Sequence, residues 1–179
     1  SYKILPKLIN GAKAWHLGNE ETNLFKKLFV NHLKNIEEGS IVFLSFGEID
    51  CRIDEGIINV FLKNNPKQTM NKIIHNTVRN YVNFCYDHIN KRNLSCYIFG
   101  IPAPIIIKDD ERVDLFKNLI KKLNLYLKNI CKEKEINFVD VYAYTKNKMD
   151  TSNAKYMLDN CHLNFKFIEV IEKLINHNH

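Results

Sequence analysis

The residues best suited to chemistry are a late acid and imidazole, Asp159 and His162. In an Asp-x-x-His spacing at a predicted helix start, the carboxylate can face the ring nitrogen that points away from a nucleophile. It would then fix the tautomer of the ring and stabilise the imidazolium that forms when His162 takes a proton. The same spacing also fits an Asp that caps a helix beside a surface histidine. Spacing alone therefore leaves both interpretations open.

A second polar group follows an apolar run. Residues 41–46 have strand length and the continuous apolar character of a strand buried on both faces of a parallel sheet. Ligands of open parallel sheets bind outside the carboxyl ends of the strands. The residues after this run are therefore candidate binding residues: Gly47, Glu48, Ile49, Asp50 and Arg52. For Arg52, pairing with Glu48 or Asp50 is favoured over binding a substrate carboxylate.

Strands and long helices alternate along the chain. Apolar residues at steps of three and four predict helices at about 22–36, about 69–91 and after residue 110, with a last helix near Asn164. Further strands are predicted at 96–101 and 136–141, and residues 51–68 are predicted to be irregular. Such alternation predicts right-handed crossovers and helices on both faces of the sheet. The expected fold class is α/β, a three-layer α/β/α sandwich around a parallel, flavodoxin-like sheet.

Composition indicates one globular domain. The chain has 179 residues, 45% of them hydrophobic and 26% charged, so we expect a single domain over residues 1–179. The net charge of +6 comes mostly from lysines, without a basic cluster interleaved with aromatic residues, so no nucleic-acid partner is expected. Five scattered cysteines without a Cys-x-x-Cys pair favour reduced thiols over disulfides or a zinc site.

Neither a membrane span nor a secretion signal is visible. No apolar run reaches the roughly 18 residues that a span needs, and residues 1–20 lack the plan of a signal peptide. A soluble, cytoplasmic protein without a membrane partner is the expectation. The chain also lacks a Gly-x-Gly-x-x-Gly or Walker-type loop, so dinucleotide or triphosphate binding has no support.

Two strings in order resemble a known family. The third-block segment, Phe46-Gly-Glu-Ile-Asp-Cys-Arg52, and the later Asp159-Asn-Cys-His-Leu-Asn164 are similar to the third and fifth blocks of the SGNH, or GDSL-type, hydrolases. The first string is similar to a subgroup whose third block reads Phe-Gly-Glu-Ile-Asp-Cys-Arg. Gly18 follows a predicted short strand, residues 15–17, about 30 residues before the third block. It resembles the oxyanion glycine of the second block.

The resemblance implies an ester hydrolase with a Ser-His-Asp triad. His162 would be the general base, Asp159 would orient its ring, and the Gly18 N–H would bind the oxyanion beside the N–H of the serine. The implied reaction passes through an acyl-enzyme, without a metal or cofactor, on a small-molecule or carbohydrate ester such as an O-acyl sugar. The family's third-block oxyanion Asn corresponds to Ile49, which has no side-chain donor.

The nucleophile is the other departure from the family. Gly-Asp-Ser does not occur in the chain, and Ser1 is the serine in the right place, either as the nucleophile or as its close neighbour. We therefore expect the natural protein to continue upstream with its first strand. Three alternatives stay open: a catalytically silent SGNH-like module that binds glycans or partners, an acyltransferase, and, with less support, a flavodoxin-like receiver or nucleotide fold that uses Asp50.

Overall fold

A small parallel sheet lies at the centre of the fold. The computed structural model describes residues 3–64, 68–107 and 110–177. Within these ranges three strands pair in the order β1 (Ile41–Leu44), β2 (Ser95–Phe99) and β3 (Asn137–Val139). Both pairings are parallel, with Leu44 opposite Ile98 and Phe99 opposite Val139. The predicted α/β class with a parallel sheet is confirmed.

Helices connect and cover the strands. The three long helices expected from apolar periodicity are present: two begin and end within two residues of their predicted bounds, and the third begins at Val113, after residue 110 as predicted. The helices are α1 (Ala14–Gly18), α2 (Leu24–Lys34), α3 (Glu48–Cys51), α4 (Ile57–Asn64), α5 (Met70–Asn90), α6 (Val113–Glu133), α7 (Val141–Thr145) and α8 (Ile168–His177), with a 3-10 turn at Phe165–Phe167. None of the described helices combines the length and apolar character of a membrane span.

Apolar residues pack against both faces of the sheet, because successive side chains of a strand point to opposite sides. Val42, Leu44 and Ile98 belong to the larger cluster, which includes the buried sides of α5 and α6. Tyr97 and Phe99 belong to a second cluster with residues near the carboxyl end of the chain, among them Phe167 and Val170. Burial on both sides explains why the strands are continuous apolar runs in the sequence.

The predicted strand at residues 15–17 is wrong, because these residues belong to helix α1. The first two backbone N–H groups of this helix, from Ala14 and Trp15, donate to the Asp50 carboxylate at 2.7 and 3.0 Å. Asp50 thus satisfies helix N–H groups that have no partner within the helix. Five residues are too few to show helical periodicity, and the capping group lies far away in the sequence.

The prediction that residues 51–68 are irregular is also wrong in part. Helix α4 occupies Ile57–Asn64 and buries Ile57 and Ile58 in the larger cluster. It starts after a tight turn in which the N–H of Gly56 donates to the carbonyl of Arg52 at 2.8 Å. A Cβ at position 56 would lie 2.1 Å from the backbone oxygen of Asp50, so the turn requires glycine. Helix α4 has only eight residues, and an apolar pattern of that length does not by itself distinguish a helix from a loop.

Gly18 packs directly against helix α5, and this contact is testable. A Cβ on Gly18 would lie 2.8 Å from the backbone nitrogen of Tyr81 and 2.9 Å from the Cβ of Asn80. We expect Gly18→Ala to lower the free energy of unfolding by about 1–3 kcal/mol, the usual cost of overpacking. Urea unfolding would measure the change, with Glu20→Ala, an exposed residue of the next loop, as the control. An alanine variant as stable as the wild type would contradict the packing.

Candidate active site

Asp159 and His162 are in direct contact. His162 Nδ1 lies 2.6 Å from Asp159 Oδ2, and the two side chains are 69% and 49% exposed. The second carboxylate oxygen, Oδ1, accepts the backbone N–H groups of Cys161 and His162 at 2.8 Å each. The Asp159 carboxylate is therefore fixed by the backbone of its own late loop, residues 159–162. It holds the imidazole of His162 through Nδ1. The other ring nitrogen, Nε2, is left for a reaction partner.

The Asp159 carboxylate stays ionised. Backbone hydrogen bonds, first that of Cys161, together with the contact to His162 hold the pKa of Asp159 well below its usual range. An ionised acid at this position accepts a hydrogen bond from the Nδ1–H group and stabilises a positive charge on the ring. The arrangement is therefore one in which an acid can orient an imidazole and stabilise its protonated form.

The third-block segment turns sharply after β1. Gly47 has φ +110°, and a Cβ there would lie 2.9 Å from the Cδ1 of Ile101, so both conformation and space favour glycine. The next residues form α3. The Arg52 guanidinium donates to both Glu48 carboxylate oxygens, with Nη2 3.0 Å from Oε2, and Nη1 reaches Glu55 at 3.3 Å. Of the two predicted acidic partners, Arg52 forms its hydrogen bonds and ion pair with Glu48 and not with Asp50.

Asp50 has a structural role. Its side chain is 1% exposed, and both oxygens accept backbone N–H groups of α1. Burial raises the pKa of Asp50, although the hydrogen bonds from Trp15 and Ala14 favour the charged form. A carboxylate enclosed in this way does not meet solvent or a phosphate donor. The receiver interpretation, which uses Asp50, therefore has no support in this geometry.

Loops from three parts of the chain meet at the carboxyl ends of β1 and β2. A small cavity of about 30 Å³ lies between them. Glu48 and Cys51 of the third-block segment, residues 101–104 after β2, and Asn160 and Cys161 of the late loop are among its lining residues. The structure therefore brings the third-block and fifth-block strings together at the edge of the sheet where the carboxyl ends of its parallel strands lie.

Two buried polar residues hold the wall of this cavity, and sequence analysis missed both. Asn124 of α6 accepts the N–H of Ile101 at 2.8 Å and donates to the carbonyls of Ile101 and Ile120. The hydroxyl of Thr145 accepts the N–H of Ala103 at 2.9 Å and donates to Val141. The only signal for Asn124 in the sequence was a polar residue within an otherwise apolar helical stripe.

The remaining predicted site residues differ in how the structure places them. Ser1 lies outside the described residues. Gly18 is buried at the end of α1 against α5, and this packing is an independent reason for a glycine. Its role in binding an oxyanion stays a prediction. Ile49 is half-buried in α3, and its hydrocarbon side chain offers no hydrogen-bond donor.

Comparisons with known proteins support the fold. No protein-family model matches the chain, and no curated protein matches it at a significant level. A protein from Bacteroides fragilis NCTC 9343, provisionally described as an acylhydrolase, is similar in structure, with a TM-score of 0.60 and 19% identity over 86% of this chain and 67% of that chain. A GDSL-like lipase from Bacteroides thetaiotaomicron VPI-5482 gives a TM-score of 0.57 and 16% identity over 86% of this chain and 68% of that chain. The chain therefore shares the α/β fold of a GDSL-like lipase.

Proposed function

We propose that the protein is a serine-dependent ester hydrolase of the SGNH type. The observation that carries the proposal is the 2.6 Å contact between Asp159 Oδ2 and His162 Nδ1, on a loop that meets the third-block segment. The shared fold with a GDSL-like lipase supports it. The three-layer sandwich with a flavodoxin-like sheet belongs to the same proposal, and the apolar clusters on both faces of the sheet support it.

In this proposal the imidazole moves one proton in each half of the reaction. His162 Nε2 takes the proton of the serine hydroxyl as its oxygen attacks the ester carbonyl. The resulting imidazolium is stabilised by the ionised Asp159 through Nδ1 and gives the proton to the departing alcohol. In the second half the same nitrogen takes a proton from a water molecule as the water oxygen attacks the acyl-enzyme, and it returns that proton to the serine oxygen as the acid is released. The net reaction consumes one water and yields an alcohol and a carboxylic acid.

The proposal includes Ser1, or a close neighbour, as the nucleophile, and a first strand upstream of Ser1 that completes a single SGNH-like domain. Gly18 is proposed as an oxyanion donor through its backbone N–H. O-acyl groups on carbohydrates are the proposed substrates, with hydrolysis rather than transfer to a second alcohol as the reaction. The absence of a donor at Ile49 would cost about 10²–10³ in rate unless another group supplies one.

A fluorophosphonate probe on the full-length protein tests the proposed nucleophile. We expect covalent labelling of one serine, mapped by mass spectrometry to Ser1 or its close neighbour. Ser45, exposed just after β1, provides the matched control, since Ser45→Ala should leave labelling unchanged. Labelling at Ser45 would contradict the assignment of Ser1.

A catalytically silent module that binds glycans or partners is the second candidate. The half-buried Ile49 favours it, because the position of the family's amide donor is apolar here. Absence of labelling, together with a sequence lacking Gly-Asp before Ser1, would support this candidate and contradict the hydrolase.

A further inference from the structure

Three side chains of types that can bind a metal ion lie together on the late loop, residues 159–162. Asp159, Cys161 and His162 each offer a ligand atom, and these atoms lie within 4.8 Å of one another. His162 Nδ1 is central, 2.6 Å from Asp159 Oδ2 and 3.5 Å from Cys161 Sγ. A tetrahedral zinc ion, with Zn–N of about 2.0–2.1 Å and Zn–S of about 2.3 Å, holds its nitrogen and sulfur ligands about 3.5 Å apart. The separation of Nδ1 and Sγ thus suits zinc.

We propose that this loop binds Zn²⁺, that the ion takes the place of the proton between His162 and Asp159, and that bound zinc inhibits the hydrolase. The binding part stands on the geometry of the loop alone. The inhibitory part rests on the proposed function, because it uses His162 as the general base.

The carboxylate is arranged for a ligand before any ion arrives. Asp159 Oδ1 is occupied by two backbone N–H groups, which direct Oδ2 toward His162. Cys161 is the half-buried cysteine of the chain, whereas Cys51, Cys85, Cys96 and Cys131 are buried. Sulfur, imidazole nitrogen and carboxylate oxygen together form a donor set that favours zinc over calcium or magnesium.

Binding requires two local changes. Burial, together with the charges of Glu48 and Asp159, raises the pKa of the Cys161 thiol, so the ion must displace the thiol proton to solvent. The Asp159 and His162 ligand atoms must also separate beyond 2.6 Å, which the exposure of both side chains permits. Three protein ligands leave the fourth position of a tetrahedral ion for water.

Zinc at this position would prevent general-base catalysis. Once Nδ1 donates its electron pair to the ion, it no longer carries the hydrogen that Asp159 accepts in the proposed mechanism. The positive charge of the ion beside the ring disfavours the imidazolium that His162 must form. Inhibition would be reversible, because a chelator restores the contact between Asp159 and His162.

Cobalt titration of the full-length, metal-free protein tests the site without any activity assay. We expect a thiolate-to-cobalt charge-transfer absorption that zinc removes by displacing the cobalt. Cys161→Ser should abolish this absorption and weaken zinc binding by at least about tenfold, the lower end of what loss of an outer-shell partner costs. Cys96→Ala, which removes a buried thiol outside the loop, is the control and should keep the absorption. No cobalt absorption in the wild type, or equal zinc affinity in Cys161→Ser, would overturn the site.

The inhibitory part is tested by the ratio of ester hydrolysis with and without zinc within each variant. We expect zinc to lower hydrolysis by the wild type, a chelator to reverse the effect, and Cys161→Ser to require at least about tenfold more zinc. Activation by zinc, or equal inhibition of both variants, would overturn it. A protein without any ester hydrolysis would contradict the proposed function and the inhibition together, while the cobalt titration still decides the site.

Discussion

Replacing His162 by alanine is expected to lower kcat/KM for a small acetyl ester about 10²–10⁴-fold, the usual contribution of a positioned general base. The reason is that no proton acceptor would remain next to the Asp159 carboxylate, which His162 contacts at 2.6 Å. The measurement is initial-rate hydrolysis by the full-length protein. Unchanged turnover in His162→Ala would contradict the proposed hydrolase.

Two further variants separate chemistry from folding. His32→Ala, in α2, removes a histidine from another part of the molecule and should leave turnover unchanged. Asp159→Asn keeps Oδ1 for the two backbone N–H groups of the loop but turns an amide N–H toward His162 Nδ1. The ring then carries its proton on Nε2 and cannot accept one there, so this variant should lose activity although the loop stays intact. The thermal midpoint of His162→Ala should stay close to that of the wild type, because the side chain is 69% exposed.

Asp50→Asn is expected to destabilise the protein by roughly 1–3 kcal/mol, the cost of leaving one buried donor unpaired. The amide oxygen can accept one of the two α1 N–H groups, but the amide nitrogen would face the other. Asp50→Ala should cost more, since both donors lose their partner in a site that is 1% exposed. Urea unfolding at neutral pH measures both changes. Asp54→Asn makes the same chemical change at a side chain that is 82% exposed and should alter stability by less than about 0.5 kcal/mol.

The difference in stability between the wild type and Asp50→Asn is expected to depend on pH. Because burial raises the pKa of Asp50, the Asp50 carboxyl group stays protonated to a higher pH in the folded state than in the unfolded state. The stability that the side chain contributes is therefore fully present below the unfolded value of about 3.9 and is lost as the pH rises through the folded value. The difference in unfolding free energy between the wild type and Asp50→Asn should thus be larger near pH 4 than at pH 7. A difference that grows toward pH 7 would show that the hydrogen bonds outweigh burial.

Much of the fold could be predicted from local patterns. Apolar runs at residues 41–46 and 96–101 predicted parallel strands, and steps of three and four predicted α5 and α6, since burial on one or two faces leaves a periodic trace in the sequence. The spacing of Asp159 and His162 allowed either a contact between them or a capping Asp beside a surface histidine, and the structure shows the contact.

Contacts between distant parts of the chain were not predictable in this way. Helix α1 was predicted as a strand, because the group that caps it, Asp50, lies 36 residues further along the chain. Arg52 had two acidic neighbours as possible partners, and only the helical turn of α3 decided for Glu48. Asn124 holds the backbone of Ile101 across 23 residues, a distance over which no local pattern carries information.

The amino-acid sequence by itself thus determined the α/β class and the long helices, because each follows from the spacing of nearby residues, and it allowed the pair of Asp159 and His162 as one of two interpretations. Only the tertiary structure decided the contacts between distant parts of the chain: it placed the third-block segment beside the loop that holds the pair, and the Asp50 carboxylate at the first two N–H groups of α1. The physical reason is that hydrophobic periodicity specifies which face of an element is buried, whereas the partners across that face depend on how the elements pack.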